Sequence, residues 1–262
     1  YEIVSLDDLH EKINELSLPV LLKARRDAYD GRGNFKITSP DEVEKAYQYF
    51  DGKSLMIEKF VDFKMEVSVI AARNTKGEIV AYPLVENIHE NNILKMTIAP
   101  ARVSDGVIND ANEIAKKTMR VLKGAGVFGI EMFVDQNNKI IINEIAPRVH
   151  NSGHHTLQSC NTSQFEQHIR AILGLELGST NLVHKTVMCN ILGQDGYEGK
   201  YKPVQLMPKD GVYLKMYGKD ISKPQRKLGH FNVVDMNDSK NTSELLGIAN
   251  EVKNIVSIVS LD

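Results

Sequence analysis

The segment GVFGIEMFVDQNNKIIINEIAP, residues 126–147, places two apolar runs of strand length on either side of the turn sequence Asp-Gln-Asn-Asn. Runs rich in Val, Ile and Phe, bounded in this way, read as the arms of a β-hairpin. With Asn137-Asn138 as a two-residue turn, which asparagine's tolerance of φ > 0 permits, Gln136 pairs with Lys139 and Glu131 faces Glu144. Directly opposed side chains on one face lie about 4.5–5.5 Å apart at Cβ, and two like charges there repel. Three arrangements answer that repulsion: another register that turns one glutamate to solvent, a proton shared between the carboxyls, or a hard divalent cation between them. The third also implies a nucleotide triphosphate, because Mg2+ is typically held by one or two carboxylates together with substrate phosphates.

The remaining punctuation gives a coarse map. Residues 19–25 read as a buried strand, AYDGRGNF interrupts it with Gly31 and Gly33, and a strand resumes at 35–38. Ser39-Pro40-Asp41 opens a helix reaching about residue 50. Strands are expected at 55–60, 65–72, 79–85 and 93–99, a helix at 109–123, the hairpin at 127–145 and a helix at 163–173. The pattern changes at 178–181, which reads as a linker before strands at 186–192, 212–217 and 230–234 and a last helix over 243–258.

Composition narrows the function classes. A formal net charge of −2 and no long run of like charge leave no electrostatic footprint for nucleic acid. No apolar stretch is long enough to span a membrane, and no charged-then-apolar leader is present. Cys160 and Cys189 are the only cysteines, too few for a disulfide framework or a thiolate zinc site, so the expected compartment is reducing, by default the cytoplasm. The start at Tyr1 without methionine suggests a fragment or a processed chain.

Two further stretches carry chemistry. In AYDGRGNF the backbone amides at Gly31 and Gly33, with Arg32 between them, suit a flap over phosphates; a plain hairpin turn is the other reading. Lys23 and Arg25 on the preceding strand bring more positive charge to the same place. NEIAPRVHNSGHH, residues 143–155, crowds Glu144, Arg148, His150, His154 and His155 behind an apolar run. Three histidines so close raise zinc, against which stand the absence of carboxylate or cysteine at finger spacing and Gly153, which implies a mobile loop.

The order of these parts, a strand with a lysine, a glycine flap, a helix, a strand ending at Glu58, then β-structure and a two-glutamate hairpin, resembles the ATP-grasp superfamily. KARRDAYDGRGNF, NEIAPRVHNSGHH, SQFEQHIRAILGL and YGKDISKPQRKLGH resemble the N5-carboxyaminoimidazole ribonucleotide synthase family over nearly the whole chain, most of all the form fused within the fungal bifunctional phosphoribosylaminoimidazole carboxylases. The resemblance implies an α+β chain with an ATP-grasp domain, incomplete at its N-terminus, over residues 1–180 and a small β-rich C-terminal domain over 181–262. It implies an ATP- and bicarbonate-dependent carboxylation of 5-aminoimidazole ribonucleotide through carboxyphosphate, with ATP and Mg2+ as cofactors. Another ATP-grasp ligase joining a carboxylate to an amine, or a nucleotide-binding module without turnover, are the alternatives.

Residue by residue, the resemblance places Lys23 on the nucleotide phosphates and closes Asp30, Gly31, Arg32, Gly33 and Asn34 over them. Glu58, Lys59, Phe60 and Val61 form the hinge for adenine, Glu66 takes the ribose hydroxyls and His89 lies near the phosphates. Glu131 and Glu144 hold Mg2+, with Asn143 beside them on the nucleotide. Tyr29, Asp30, His150, Asn151 and Ser152 line the imidazole pocket, while Lys219 and Arg226 clamp the 5′-phosphate. Asp30 is the candidate base; Arg148, by its adjacency to Glu144 rather than by the resemblance, is expected to orient bicarbonate or the intermediate; and Arg32 and His150 complete the catalytic set. Each has a plainer reading: Glu66 as a solvated strand residue, His89 as a surface turn, Lys219 and Arg226 as a solvated basic loop.

Two departures from the family are visible. The Rossmann-like domain expected before the ATP-grasp domain and the mutase-type carboxylase domain expected after it in the fungal fusion are not in this sequence, so both are expected partners of the parent chain, with a homodimer as a further expectation. Gln225 stands in PQRKLGH where the family often has glycine.

Overall fold

A computed structural model describes residues 1–5, 8–26, 33–50, 52–203, 209–256 and 258–261. Two compact units emerge, Tyr1–Asp62 with Asn91–Ile93, and Phe63–Glu90 with Leu94–Asp262. In the first, strands β1 (Glu2–Val4), β2 (Val20–Ala24), β3 (Asn34–Ile37) and β4 (Leu55–Lys59) pair antiparallel in the order β1-β4-β2-β3. Helices α1 (Leu9–Leu16) and α2 (Val43–Phe50) bury Leu9 and Ile13, and Val43, Ala46 and Phe50, in one core with Val20, Leu22, Ile37 and Ile57. That spacing of three and four residues turns one stripe of each helix to the sheet. A 3-10 turn, Pro40–Glu42, leads into α2, and Glu42 accepts hydrogen bonds from the backbone amides of Thr38 and Ser39.

The second unit is built on β5 (Phe63–Arg73), β6 (Ile79–Ala81), β7 (Val85–Glu90), β8 (Ile93–Ala99), β9 (Gly126–Asp135), β10 (Ile140–Ala146), β11 (Thr186–Leu192), β13 (Val212–Met216) and β15 (Lys227–Val234). They form a nine-stranded sheet in the order β10-β9-β5-β7-β8-β11-β15-β13, with β6 paired to β5. β12 (Gly199–Pro203), β14 (Ile221–Ser222) and β16 (Ile258–Ser260) make a small sheet in the order β14-β12-β16. The helices are α3 (Asp105–Leu122), α4 (Thr156–Ser159), α5 (Gln164–Ile172) and α6 (Thr242–Ile255). No helix among the described residues is long and apolar enough to cross a membrane.

Strand alternation divides the large sheet into two unlike faces. On one, Val107, Ala111, Ala115 and Met119 of α3 pack against Val67, Val69 and Ala71 of β5 and Ile130, Met132 and Val134 of β9. Farther along the same sheet Leu245, Ala249 and Val252 of α6 pack against Val187, Cys189 and Ile191 of β11 and Phe231 and Val233 of β15. The intervening residues turn the other way. In register with one another these are Glu144 and Glu131, Glu131 and Ser68, Glu66 and Asn87, and Asn190 and His230.

Several expectations are corrected. The hairpin does not turn on Asn137-Asn138 alone: Asp135, not Gln136, pairs with Lys139, and Asn138 takes a left-handed φ of 65°. The Asp135 carboxylate accepts from the amides of Asn137 and Lys139, which favours the longer turn. The expected strand 79–85 breaks at Tyr82-Pro83 into β6 and β7, since proline has no amide to give a ladder. HNSGHH is no mobile loop: Asn151–His155 is a 3-10 turn leading into α4, with Ser152, Gly153 and His155 buried. A Cβ on Gly153 would lie 2.6 Å from Gln164 Oε1 and 2.8 Å from an Ile70 methylene, so this glycine serves close packing. The stretch 178–181 is tied down, with Gly178 exchanging hydrogen bonds with the Gln167 side chain and Thr180 donating to the Ala81 carbonyl. β1, α1, β12 and β14 carry short or mixed patterns that no expectation covered, and the last helix, expected to reach 258, ends at Ile255, with Ile258 opening β16 instead.

Candidate active site

Glu131 and Glu144 are direct register partners, as the hairpin reading expects, but by a different route. From Ile140↔Val134 to Ile142↔Met132 the register is one residue off the expected one; a bulge at Asn143 then restores it at Glu144↔Glu131. Bulges re-aim a side chain beside a site, and Asn143 occupies the inserted position. Glu144 is exposed and Glu131 half-buried. His150 Nε2 lies 3.2 Å from Glu131 Oε1. Burial works to raise the Glu131 pKa, but the hydrogen bond from His150 and the electrostatic influence of His150, His89 and Lys227 outweigh it and hold the carboxyl below its ordinary range. His150 can come so close because β9 has Gly129 there: a Cβ would sit 2.5 Å from His150 Cβ.

The side chains behind His150 form a continuous hydrogen-bonded chain. His150 Nδ1 is 2.9 Å from Ser152 Oγ, which is 2.8 Å from Ser68 Oγ. Ser68 accepts from Asn87 Nδ2 at 2.9 Å, and Asn87 Oδ1 accepts from Thr97 at 3.1 Å. Gln164 clamps the His150 backbone from the other side, accepting from its amide and donating to its carbonyl. Asn151 and Asn190 exchange two hydrogen bonds, and Asn190 also donates to the Leu94 carbonyl. Ser68, Asn87, Thr97 and Asn190 thus join the site although no motif marks them, and Gln164 joins it from the stretch SQFEQHIRAILGL, in which no site role was expected. For Ser68 and Thr97 the trace in the sequence is a polar residue at every second place of a strand whose intervening residues are apolar.

The remaining expected residues fall as follows. Glu66 on β5 and His89 on β7 meet side chain to side chain. In the first unit Lys23 Nζ is 2.7 Å from Glu58 Oε2, Lys59 is exposed, and the Phe60 ring lies 3.6 Å beneath Lys36 Nζ. The Phe60 amide donates to the Pro19 carbonyl, and Val61 is half-buried. Gly33 has φ 101° with its amide on the Tyr49 hydroxyl, and Asn34 pairs with Lys23 in the β2-β3 ladder. Tyr29, Asp30, Gly31 and Arg32 lie outside the described residues. Arg148 is exposed and donates to the Val149 carbonyl. Lys219 Nζ is 6.0 Å from the Tyr217 ring centre, and Arg226 donates to the Ile221 carbonyl.

The three histidines of HNSGHH diverge, which removes the zinc alternative. His150 turns to Glu131, His155 to Ser159 at 2.7 Å, and His154 to Gln164 and the rings of Phe165, Tyr217 and His230. Burial pushes His154 and His155 down to about 3 and His230 to about 4, so these three rings are neutral. The glutamate pair does fit Mg2+: its donors are hard oxygens, one carboxylate is open, and two carboxylates suffice when phosphates complete the shell.

Comparison with known proteins extends this geometry. Residues 1–165 match the ATP-grasp domain model and residues 186–244 the phosphoribosylaminoimidazole carboxylase C-terminal domain model. The N5-carboxyaminoimidazole ribonucleotide synthase of Bacillus subtilis is 43% identical over 236 residues, covering 88% of this chain and 60% of that protein. The phosphoribosylaminoimidazole carboxylase of Candida albicans is 41% identical over 263 residues, covering 96% and 46%. Among solved structures, N5-carboxyaminoimidazole ribonucleotide synthetase from Thermotoga maritima superposes with a TM-score of 0.85 at 42% identity, over 99% of this chain and 67% of that one. The Aspergillus clavatus synthase in complex with ADP and 5-aminoimidazole ribonucleotide gives 0.83 at 33% identity, over 96% and 66%. The chain therefore spans about half to three-fifths of the length of these curated relatives.

Proposed function

The chain belongs to the ATP-grasp family, and from that premise we propose that it carries out the ATP- and bicarbonate-dependent carboxylation of 5-aminoimidazole ribonucleotide to N5-carboxyaminoimidazole ribonucleotide, a step of purine biosynthesis. The observation that carries this reading is the bulged hairpin that sets Glu131 against Glu144 with His150 clamped on Glu131. A two-carboxylate hairpin suits Mg2+ bound with a nucleotide, and the neighbouring turn, His150 to Ser152, suits a polar heterocycle.

In the second unit, Glu131 and Glu144 would hold Mg2+, which when bound neutralises phosphate charge. Asn143 and His89 would contact the nucleotide, and Glu66 its ribose hydroxyls. His150, Asn151 and Ser152 would line the imidazole pocket, Arg148 would orient bicarbonate, and Lys219 and Arg226 would take the 5′-phosphate. In the first unit, Lys23 and residues 30–34 would bind phosphates, residues 58–61 the base, and Tyr29 and Asp30 the ribonucleotide, with Asp30 accepting the proton released by the exocyclic amine. Bicarbonate must first be activated by phosphoryl transfer, a reaction governed by positioning and charge stabilisation. Water must be excluded meanwhile, a task that suits a glycine flap. The division into domains at residue 180 and the pairing with further domains of a parent chain belong to the same proposal.

Calorimetry of Mg2+-dependent ATP binding, with and without 5-aminoimidazole ribonucleotide, tests it. Coupled binding of the two ligands supports the assignment; ATP binding indifferent to the ribonucleotide would point instead to another ATP-grasp ligase. Glu144→Ala should abolish Mg2+-dependent ATP binding while moving stability by less than about 0.5 kcal/mol, since the side chain is exposed. Unchanged nucleotide affinity in that variant would sink the metal assignment.

A further inference from the structure

Lys95 is a cation of the polar face that the proposed function leaves unused. It lies on β8 two places before Thr97, so the period of two turns it to the same side of the sheet, between the buried residues Leu94 and Met96. The side chain is half-buried, and its Nζ donates to Gln225 Oε1 at 2.9 Å. Among the described residues it has no carboxylate partner. A partly desolvated ammonium with three donors is thus met by one neutral acceptor, which compensates its charge poorly.

Gln225 holds that arrangement in place. Its Nε2 donates to Asp195 Oδ1 at 2.7 Å, so the glutamine stands between the carboxylate and the ammonium and keeps the two from pairing. Its backbone amide donates to the Gly193 carbonyl, and the next amide, that of Arg226, closes the turn on the Lys223 carbonyl. Glycine would suit the φ of 61° at this position, but only a longer side chain reaches Lys95. On its other side Lys95 adjoins the ribonucleotide residues. The β8–β11 ladder pairs Thr97 with Met188 and Met96 with Cys189, and the residues next along the two strands are Lys95 and Asn190. Asn190 donates to the Leu94 carbonyl and exchanges two hydrogen bonds with Asn151. Lys95 therefore lies between Asn151, proposed for the imidazole pocket, and the turn that carries Arg226, proposed for the 5′-phosphate, all within the second unit.

We propose that Lys95 is a further ligand of the 5′-phosphate, a third cation beside Lys219 and Arg226, and that Gln225 is its positioning residue. A lysine can keep Gln225 with one donor and give the others to phosphate oxygens. The identity of the ribonucleotide rests on the proposed function; the need of this cation for an anion rests on its own surroundings.

Calorimetry on the whole chain tests this with three probes. These are 5-aminoimidazole ribonucleotide, ribose 5-phosphate, which lacks the base, and 5-aminoimidazole riboside, which lacks the phosphate. Lys95→Met should weaken both phosphate-bearing probes about 10–100-fold, the range of a hydrogen bond between charged groups, and leave the riboside unchanged. Gln225→Gly should weaken the same two probes by a smaller factor, and that loss should vanish when Lys95 is already methionine. A loss that persists there would come from the turn itself and overturn the positioning role. Equal affinity of the parent and Lys95→Met for both phosphate-bearing probes overturns the proposal, and so does an equal loss for the riboside. If the methionine variant does not fold, Lys95→Gln, which removes the charge and keeps a donor for Gln225, is read in the same way. Binding of ribose 5-phosphate that depends on Lys95, with no tighter binding of the ribonucleotide, keeps the subsite and removes the substrate assignment. Tight ribonucleotide binding indifferent to Lys95 does the reverse, and a parent that binds neither phosphate-bearing probe overturns both.

Discussion

The two faces of the nine-stranded sheet are made by the same strands, yet they have almost nothing in common. Val69, Ile130 and Val187 look towards helices and are wholly buried among apolar side chains. One residue away, Ser68, Glu131 and Thr186 look the other way, and the first two belong to a polar network that ends at an open carboxylate. The difference teaches that a period of two is enough to keep stability and chemistry apart in one backbone. Changes on the helix face should cost folding, and changes on the polar face should cost ligands.

The largest effect is expected where the helix face is densest. Phe231, 1% exposed beneath α6, should cost about 3–5 kcal/mol on truncation to alanine, through lost burial and a cavity the sheet cannot collapse into. Chemical denaturation measures it. A cost below about 1 kcal/mol would mean that α6 is not fixed on β11 and β15, and the contrast between the faces would fail at that end.

Next comes Gly129, where the two functions meet. It lies on β9 between the apolar positions Phe128 and Ile130, on the polar face against His150. Gly129→Ala puts a methyl 2.5 Å from His150 Cβ, so the turn must shift, at about 1–3 kcal/mol. The histidine should also leave Glu131, so Mg2+-dependent nucleotide binding weakens along with stability. Loss of stability alone, with ligand binding intact, would show that the approach of His150 to β9 is only packing.

How far this contrast was legible in the sequence differs from place to place. Alternation located most strands and the facing of Glu131 and Glu144, but the true turn is longer and the bulge at Asn143 compensates for it. A bulge leaves no mark in a pattern of period two except the slip it repairs. The motifs NEIAPR and HNSGHH located the polar face, while the compactness of the turn was hidden: Gly153 suggests freedom when only its neighbours, Gln164 and Ile70, reveal crowding. The hydrogen-bonded chain behind His150 was illegible for a stronger reason. Ser68 and Ser152 stand 84 residues apart, and small hydroxyl residues advertise no partner.

Acidification sharpens the comparison further, because burial also governs the polar side. His155 is wholly buried, and burial holds its pKa at about 3, against about 6.5 in an unfolded chain. Its contribution to stability is complete above pH 6.5. As the pH falls from 6.5 towards 3 the unfolded chain takes up a proton that the folded one refuses, and stability drops by about 1.4 kcal/mol per pH unit for this histidine. His154, also depressed by burial, acts in the same sense over the same window, and His230 over a narrower one that ends near pH 4. His155→Leu should therefore have a shallower loss of denaturation midpoint between pH 6.5 and 5 than the parent, whatever its stability at pH 7. Parallel pH profiles would show that the ring titrates in the folded state.

The smallest effect is at Gln225, where a polar-face residue is steadied from a loop. Lys95, next to Thr97's neighbour Met96 on β8, donates to Gln225 Oε1 at 2.9 Å, and Gln225 Nε2 donates to Asp195 at 2.7 Å. The backbone here has φ 61°, a left-handed conformation that glycine adopts without penalty and other residues at about 1 kcal/mol. Two opposing quantities of similar size meet in this residue: strain, and two side-chain hydrogen bonds each worth about 0.5 kcal/mol net in an exposed setting. Gln225→Gly gives up the bonds and the strain together, and its stability should lie within about 0.5 kcal/mol of the parent. Gln225→Ala gives up the bonds and keeps the strain, so it should be less stable by about 1 kcal/mol. If the alanine variant proves as stable as the glycine one, the left-handed turn costs nothing there. The glutamine would then be explained by its hold on Lys95 alone.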